Sequence, residues 1–143
     1  MKTVTCITPD GKTRYYLADA SGIPVPEVMN YLKFRGNQGM ARNTLRLNCY
    51  QLQNYFSYLQ ESGKNYEDAT IDDIAEFMAW LQNPNILKKV VPIRFEAARG
   101  SRTINENIDT VIALYGYLAR WGGLENRLSE KAGEVHHEPA QKL

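Results

Sequence analysis

The feature that most limits what this chain can fold into is a helix pattern written twice. Residues 41–63 (ARNTLRLNCYQLQNYFSYLQESG) carry Leu45, Cys49, Leu52, Phe56 and Leu59 at alternating steps of four and three. That spacing puts all five on one stripe of an amphipathic helix, which must face a core. Residues 101–123 (SRTINENIDTVIALYGYLARWGG) repeat the design at a constant offset: Thr44 becomes Thr103, Leu45 Ile104, Asn48 Asn107, Cys49 Ile108 and Leu52 Val111. At the same offset Phe56 becomes Tyr115, Tyr58 Tyr117, Leu59 Leu118 and Gly63 Gly122, each glycine standing where a left-handed residue ends a helix. Two long helices of one phase, each needing a partner for its stripe, point to a helical bundle.

The outward faces are matched as well. Arg42, Asn43, Thr44 and Arg46 open the first helix, and Ser101, Arg102, Thr103 and Asn105 open the second. Asn43 aligns with Arg102 and Arg46 with Asn105, so the two residue types are exchanged, and each pair lies three residues apart on one side of the first turn. A first turn offers unpaired N–H groups and the positive end of the helix dipole, which suit a phosphate oxygen. Arg and Asn are also the side chains shaped to make paired hydrogen bonds to guanine and adenine edges. The plainer alternative is that Asn, Ser and Thr cap the helices and the arginines are solvated. The pairing of the two helices weights the balance toward nucleic acid.

Net charge matters here only through its distribution. The 143 residues carry a formal +1, but the charges are sorted. Residues 31–64 hold Lys33, Arg35, Arg42, Arg46 and Lys64 against Glu61, and residues 86–103 hold Lys88, Lys89, Arg94, Arg99 and Arg102 against Glu96. Between them lie Glu67, Asp68, Asp72, Asp73 and Glu76 with no basic residue. Such sorting is what a one-sided basic surface on a nearly neutral domain requires.

The remaining elements follow in order. Runs at 3–7 and 13–17 flank Pro9-Asp10-Gly11-Lys12 and predict a hairpin, which must pack on something or stay mobile. Packing or dimerisation is favoured for it over reading DNA, because Lys2, Lys12 and Arg14 are too few for a dense phosphate footprint. Pro26 opens a short helix over 27–34 with Val28, Tyr31 and Leu32 inward, closed by the 36–39 stretch. Residues 64–69 read as a loop. Thr70 caps a third helix whose buried stripe is expected to be Ile71, Ile74, Phe77, Met78 and Leu81, with Trp80 beside it. The 86–100 segment mixes Lys88, Lys89, Arg94 and Arg99 with apolar residues around Pro92 and is read as a basic loop reaching over DNA. Residues 124–143 turn polar and read as a tail or the start of a linker. Cys6 and Cys49 form no C-x-x-C, and Cys49 sits on the core stripe as a structural thiol.

With these residues in place, the chain resembles the N-terminal core-binding, or SAM-like, domain of tyrosine recombinases and phage-type integrases. The likeness rests on Thr44 through Phe56-x-x-Leu59-x-x-x-Gly63 and on Ser101-x-Thr103-Ile104 through Tyr115-x-Tyr117-Leu118-x-x-x-Gly122, and it covers residues 25–123. The hairpin with Tyr15-Tyr16-Leu17 resembles the lead into this domain in transposon-type members. The resemblance implies a mainly α fold, a four-helix bundle behind a short N-terminal β-hairpin at 1–24, with 124–143 leading toward a separate catalytic domain. It also implies that the second and fourth helices cross the major groove of duplex DNA near their N-termini. Carried over by position, this nominates Arg42, Asn43, Thr44, Arg46, Ser101, Arg102, Thr103 and Asn105. Lys88, Lys89 and Arg99 are added from the character of their own loop.

Family catalysis needs a tyrosine nucleophile and a His-x-x-Arg element. Three residues after His136 and His137 stand Pro139 and Ala140, and Tyr55, Tyr58, Tyr115 and Tyr117 fall inside packed helices. No catalytic residue, metal or cofactor is therefore assigned, and the catalytic domain is expected beyond Leu143, leaving this fragment inert. The expected partners are double-stranded DNA and other protomers of the recombinase, with no membrane: the first residues have no apolar core and no apolar run approaches membrane length, so the chain is expected in the cytoplasm. The rival function is a helical protein-interaction module. A helix-turn-helix regulator is disfavoured because no tight turn joins two helices of suitable length.

Overall fold

The computed structural model describes residues 1–83 and 100–121. Strands β1 (Lys2–Ile7) and β2 (Thr13–Ala18) pair antiparallel from Lys2↔Ala18 to Ile7↔Thr13. Helices α1 (Pro26–Asn37), α2 (Arg42–Ser62), α3 (Ile71–Gln82) and α4 (Ser101–Trp121) follow, with a 3-10 turn at Tyr66–Asp68 inside the stretch read as loop. The described chain is mainly helical with a short N-terminal hairpin, as expected.

The hairpin closes because Thr8 N–H reaches the Lys12 carbonyl at 2.8 Å and Gly11, at φ +85°, returns its own N–H to Thr8 at 2.8 Å. It is pinned to the helices. Alternation along β2 turns Tyr15 and Leu17 into the same core as the helical residues, Ala18 is buried at the strand's end, and Thr3 Oγ1 donates to Gln53 Oε1 of α2 at 2.7 Å. α1 starts with Pro26 in its first turn and runs three residues past its expected end. Its buried residues are Val28, Tyr31 and Leu32, the three expected.

All five stripe residues of α2 are buried, and Gly63 ends the helix in the left-handed region at φ +70°. There Gly63 N–H reaches Gln60 O at 3.2 Å and Lys64 N–H reaches Leu59 O at 2.9 Å, which satisfies two terminal carbonyls. On α4, Ile104, Val111, Leu114 and Leu118 are buried and Ile108 is half-buried. The two helices also bury a polar seam. Thr110 donates to Gln51, Asn54 Nδ2 donates to Asn107 Oδ1 at 3.0 Å, and Asn107 Nδ2 returns to the Thr103 carbonyl at 2.8 Å. Gln51 and Thr110 are equivalent positions of the repeat, so α2 and α4 cross where their shared pattern meets itself.

α3 corrects the expected stripe. Phe77 and Leu81 are buried and Ile74 is half-buried, but Ile71 is 81% exposed and Met78 38% exposed, while Trp80 and Asp73 turn inward. Two anchors set that rotation. Thr70 and Asp73 form a reciprocal capping box, with Asp73 also ion-paired to Lys64, and Phe77 and Trp80 pack against Tyr55 and Tyr58. The Lys64 ammonium holds the Asp73 carboxyl below its ordinary range, and the carboxylates of Asp73 and Glu76 raise Lys64 in turn.

Candidate nucleic-acid interface

The starts of α2 and α4 differ from those of the other helices. α1 carries Glu27 and α3 carries Asp72 and Asp73 in the first turn, whereas neither α2 nor α4 has an acid there. Side-chain capping does not separate them from α1, whose N-cap Val25 also makes no side-chain hydrogen bond, but it does separate them from α3, capped by Thr70. The N-cap of α2 is Ala41, without a side-chain hydrogen bond, and the first carbonyl accepting within α4 is that of Gly100, which has no side chain. The Asn, Ser and Thr residues of the tips are thus not spent as caps on these helices, and the positive helix ends stay uncompensated by local carboxylates.

Arg42, Asn43, Thr44, Arg46, Ser101, Arg102, Thr103 and Asn105 are all exposed. Two of them make local contacts. The Arg46 guanidinium lies 5.7 Å from the Tyr50 ring centroid, and Arg102 Nε reaches Glu106 Oε2 at 3.2 Å with its side chain 92% exposed. An exposed pair of that kind contributes at most about 1 kcal/mol, so Glu106 competes only weakly for the guanidinium. No hydrogen bond joins one tip to the other. Their spacing is bounded by the crossing at Gln51 and Thr110, because Asn43 and Arg102 each stand eight residues before it. Eight residues rise about 12 Å and packed helix axes lie about 8–10 Å apart, so the tips are at most about 26 Å apart at any crossing angle. Both can therefore lie within one turn of a B-form duplex, about 34 Å.

Lys88, Lys89 and Arg99 lie outside the described residues, as do Gly122, His136 and His137. Sequence reasoning had set Arg14 aside. The structure carries it from β2 to the junction of α1 and α2, where its Nη2 donates to Asn37 Oδ1 at 3.4 Å and its Nη1 lies 3.2 Å from the point a Gly36 Cβ would occupy. Leu45, between Thr44 and Arg46, is 3.4 Å from the same point, so Arg14 borders the α2 tip. Strand alternation fixes which way Arg14 faces, but only the tertiary docking of the hairpin says what it faces.

The tyrosines are committed to packing. Tyr55 and Tyr58 are buried, and Tyr115 and Tyr117 half-buried. Tyr115 Oη donates to the Tyr66 carbonyl at 2.6 Å, which leaves Tyr55 as donor in the 2.7 Å contact between the two hydroxyls. Burial pushes Tyr55 up to about 12 and raises Tyr115 as well. Burial likewise raises the Cys49 thiol, while Cys6 is exposed. Among the described residues no three His, Cys, Asp or Glu side chains gather as metal ligands, and no helix is long and apolar enough to cross a membrane.

No known family profile and no solved structure matches the chain. Three Staphylococcus aureus proteins named Transposase A from transposon Tn554 are each 27% identical to it over 108 residues, a stretch covering 76% of this chain. The same stretch is 30% of each relative, so the chain spans less than a third of the length of the curated proteins it is similar to.

Proposed function

We propose that this chain takes part in DNA recombination for a mobile element, as the part of a tyrosine-type recombinase that holds duplex DNA at the recombination core site. The observation that carries the reading is the pair of matched helix starts: exposed Arg and Asn, no first-turn acid, no side-chain cap, and a spacing that fits within one duplex turn. The similarity to a transposon transposase supports the recombination role.

In this reading residues 25–123 form the core-binding unit. Arg42, Arg46 and Arg102 neutralise phosphates, with Lys88, Lys89 and Arg99 of the following loop added. The free N–H groups and the hydroxyls of Thr44, Ser101 and Thr103 fix the register on the backbone, and Asn43 and Asn105 read base edges. Arg14 extends the phosphate track beside α2. Strand cleavage and rejoining fall to a part of the protein outside these residues, and further protomers assemble on the same DNA.

The test is an amide chemical-shift titration of labelled chain with a mixed-sequence duplex at low salt. Shifts clustering at residues 42–48 and 101–107, and reversed by salt, are expected. Shifts absent from both tips would overturn the reading.

A further inference from the structure

Two surface features have no partner among the described residues, and they are complementary. One is a cavity of about 300 Å³ between α1 and the C-terminal half of α4. Its walls include Phe34 and Tyr117, 5.1 Å apart by ring centroid, and Trp121, 61% exposed. Two guanidinium groups line it, Arg35 and Arg120, and among the described residues no carboxylate does. Neither arginine has an ion-pair partner among the described residues. Arg35 Nε is, among those residues, the one buried side-chain N or O without a hydrogen-bond partner, although Nη1 of the same group reaches Gln38 Oε1 at 3.3 Å. A buried donor left open next to an aromatic wall calls for an acceptor arriving with apolar surface.

The other feature is the outer face of α3. Ile71, Ala75 and Met78 stand at steps of four and three, so they share one stripe, and all three are exposed. This stripe is the one that the capping box and the aromatic packing rotate away from the core. Asp72 and Glu76 lie beside it; Glu76 is paired to Lys64 at 3.1 Å, whereas Asp72 makes no ion pair among the described residues. The groove thus offers aromatic surface with unpaired cations, and α3 offers aliphatic surface with carboxylates.

We propose that the α3 face of one copy docks into the α1–α4 groove of the next, Met78 and Ile71 against Phe34, Tyr117 and Trp121, with the unpaired Asp72 carboxylate meeting the guanidinium groups of Arg35 and Arg120. Because the two surfaces are different patches of one molecule, the proposed contact is head-to-tail, and a pair of copies keeps one free groove at one end and one free α3 at the other. It runs through neither helix tip, so it does not depend on the DNA-binding reading. One groove and one helix face fall in the small, weak class of interface. Copies held on a shared scaffold would meet at an effective concentration of about 1 mM, where a weak contact suffices.

The experiment uses the full chain in sedimentation equilibrium at protein concentrations up to about 1 mM, the range set by that effective concentration. Trp121 emission serves as the readout of the groove, read in a Trp80→Phe background because Trp80, though buried, lies on α3 itself. Two variants each disable one patch. Gly116→Leu with Arg120→Glu fills and recharges the groove, since a Cβ at Gly116 meets nothing within 4 Å. Ile71→Lys with Met78→Lys recharges the α3 face, at positions already exposed. Circular dichroism and a melting curve check that each folds, and a single substitution of each pair replaces any double that does not.

Wild type is expected to gain mass with concentration, and Trp121 emission in the Trp80→Phe background to shift to the blue. Each variant alone is expected to lose association about tenfold or more, the effect of removing one central contact. Mixed, the two variants are expected to restore one intact contact and stop at a 1:1 dimer. The proposal is overturned by a wild type that stays monomeric, by variants that associate as wild type does, or by a mixture of folded variants that fails to pair. A Trp121 shift produced by duplex DNA and not by a second copy would instead assign the groove to nucleic acid.

Discussion

The sharpest test of the DNA reading is to remove the tip cations and follow the salt dependence rather than affinity at one condition. Arg42, Arg46 and Arg102 are exposed, and among the described residues their side-chain partners are the Tyr50 ring and the Glu106 carboxylate. Each phosphate neutralised contributes about 0.9 to the slope of log K against log salt. A site of about five contacts has a slope near −4.5 and loses roughly 500-fold in affinity between about 50 and 200 mM salt. With all three arginines replaced by alanine the slope should flatten to about −1.8, and the same salt step should cost only about 12-fold. Fluorescence anisotropy with a labelled duplex at five salt concentrations measures both numbers. The companion variant Asn43→Ala with Asn105→Ala removes no charge, so its slope should match wild type while its preference among duplex sequences narrows. A triple arginine variant that retains the wild-type slope would refute the assignment of these side chains to phosphates, whatever its affinity.

The other predictions concern the scaffold. Tyr115→Phe removes the acceptor of the buried Tyr55 hydroxyl together with the bond to the Tyr66 carbonyl and should cost about 2–3 kcal/mol in urea unfolding, against about 1 kcal/mol for Tyr55→Phe. Because removing both partners strands fewer groups, the double variant should cost less than the two singles summed, and equal costs for the singles would contradict the donor order. On the alkaline side Tyr55 stays neutral up to about 12 when folded but ionises near 10 when unfolded, so its contribution is complete below pH 10 and lost as pH rises through about 12. On the acid side Asp73 is held below 3.8, so its contribution is complete above the unfolded value and lost as pH falls through the lowered one; Lys64→Met should flatten that acid limb in a pH series of melting curves. Replacing Asn54 and Asn107 together by leucine should leave stability within about 1 kcal/mol, since both partners go at once, yet weaken DNA binding without changing the salt slope.

How far the sequence speaks for itself differs from element to element. α2 was legible to within a residue because one stripe, one left-handed glycine and an unbroken amphipathic pattern agree. The start and phase of α4 were legible because α4 repeats α2. α3 was legible as a helix but not in phase: Ile71 and Met78 satisfy the periodicity as well as Trp80 does, and what rotates the helix is the tertiary pairing of Asp73 with Lys64 and of Phe77 with Tyr55 and Tyr58. Of these anchors only the Thr70–Asp73 capping box is written locally; the pairings with Lys64, Tyr55 and Tyr58 are tertiary. The same holds for Arg14, whose place beside the α2 tip depends on how the hairpin docks, and for Arg35, whose open Nε exists only because α1 and α4 close around it.

The polar seam explains why a bundle with ample apolar surface spends buried positions on Asn48, Gln51, Asn107 and Thr110. Aliphatic residues of similar size would fill the crossing at least as stably, since the net gain from a buried hydrogen bond is only about 1 kcal/mol. Aliphatic packing, however, tolerates a slide of one helix along the other, whereas Gln51 with Thr110 and Asn54 with Asn107 are satisfied in one register and stranded in any other. A slide of a single turn would move one tip by about 5.4 Å, more than the roughly 3.4 Å of duplex axis between successive phosphates on one strand. The repeat thus does two jobs on opposite faces of the same two helices. Inward, equivalent positions meet and lock the crossing; outward, the matched tips inherit a fixed separation, which a clamp on duplex DNA needs and which packing alone would leave loose.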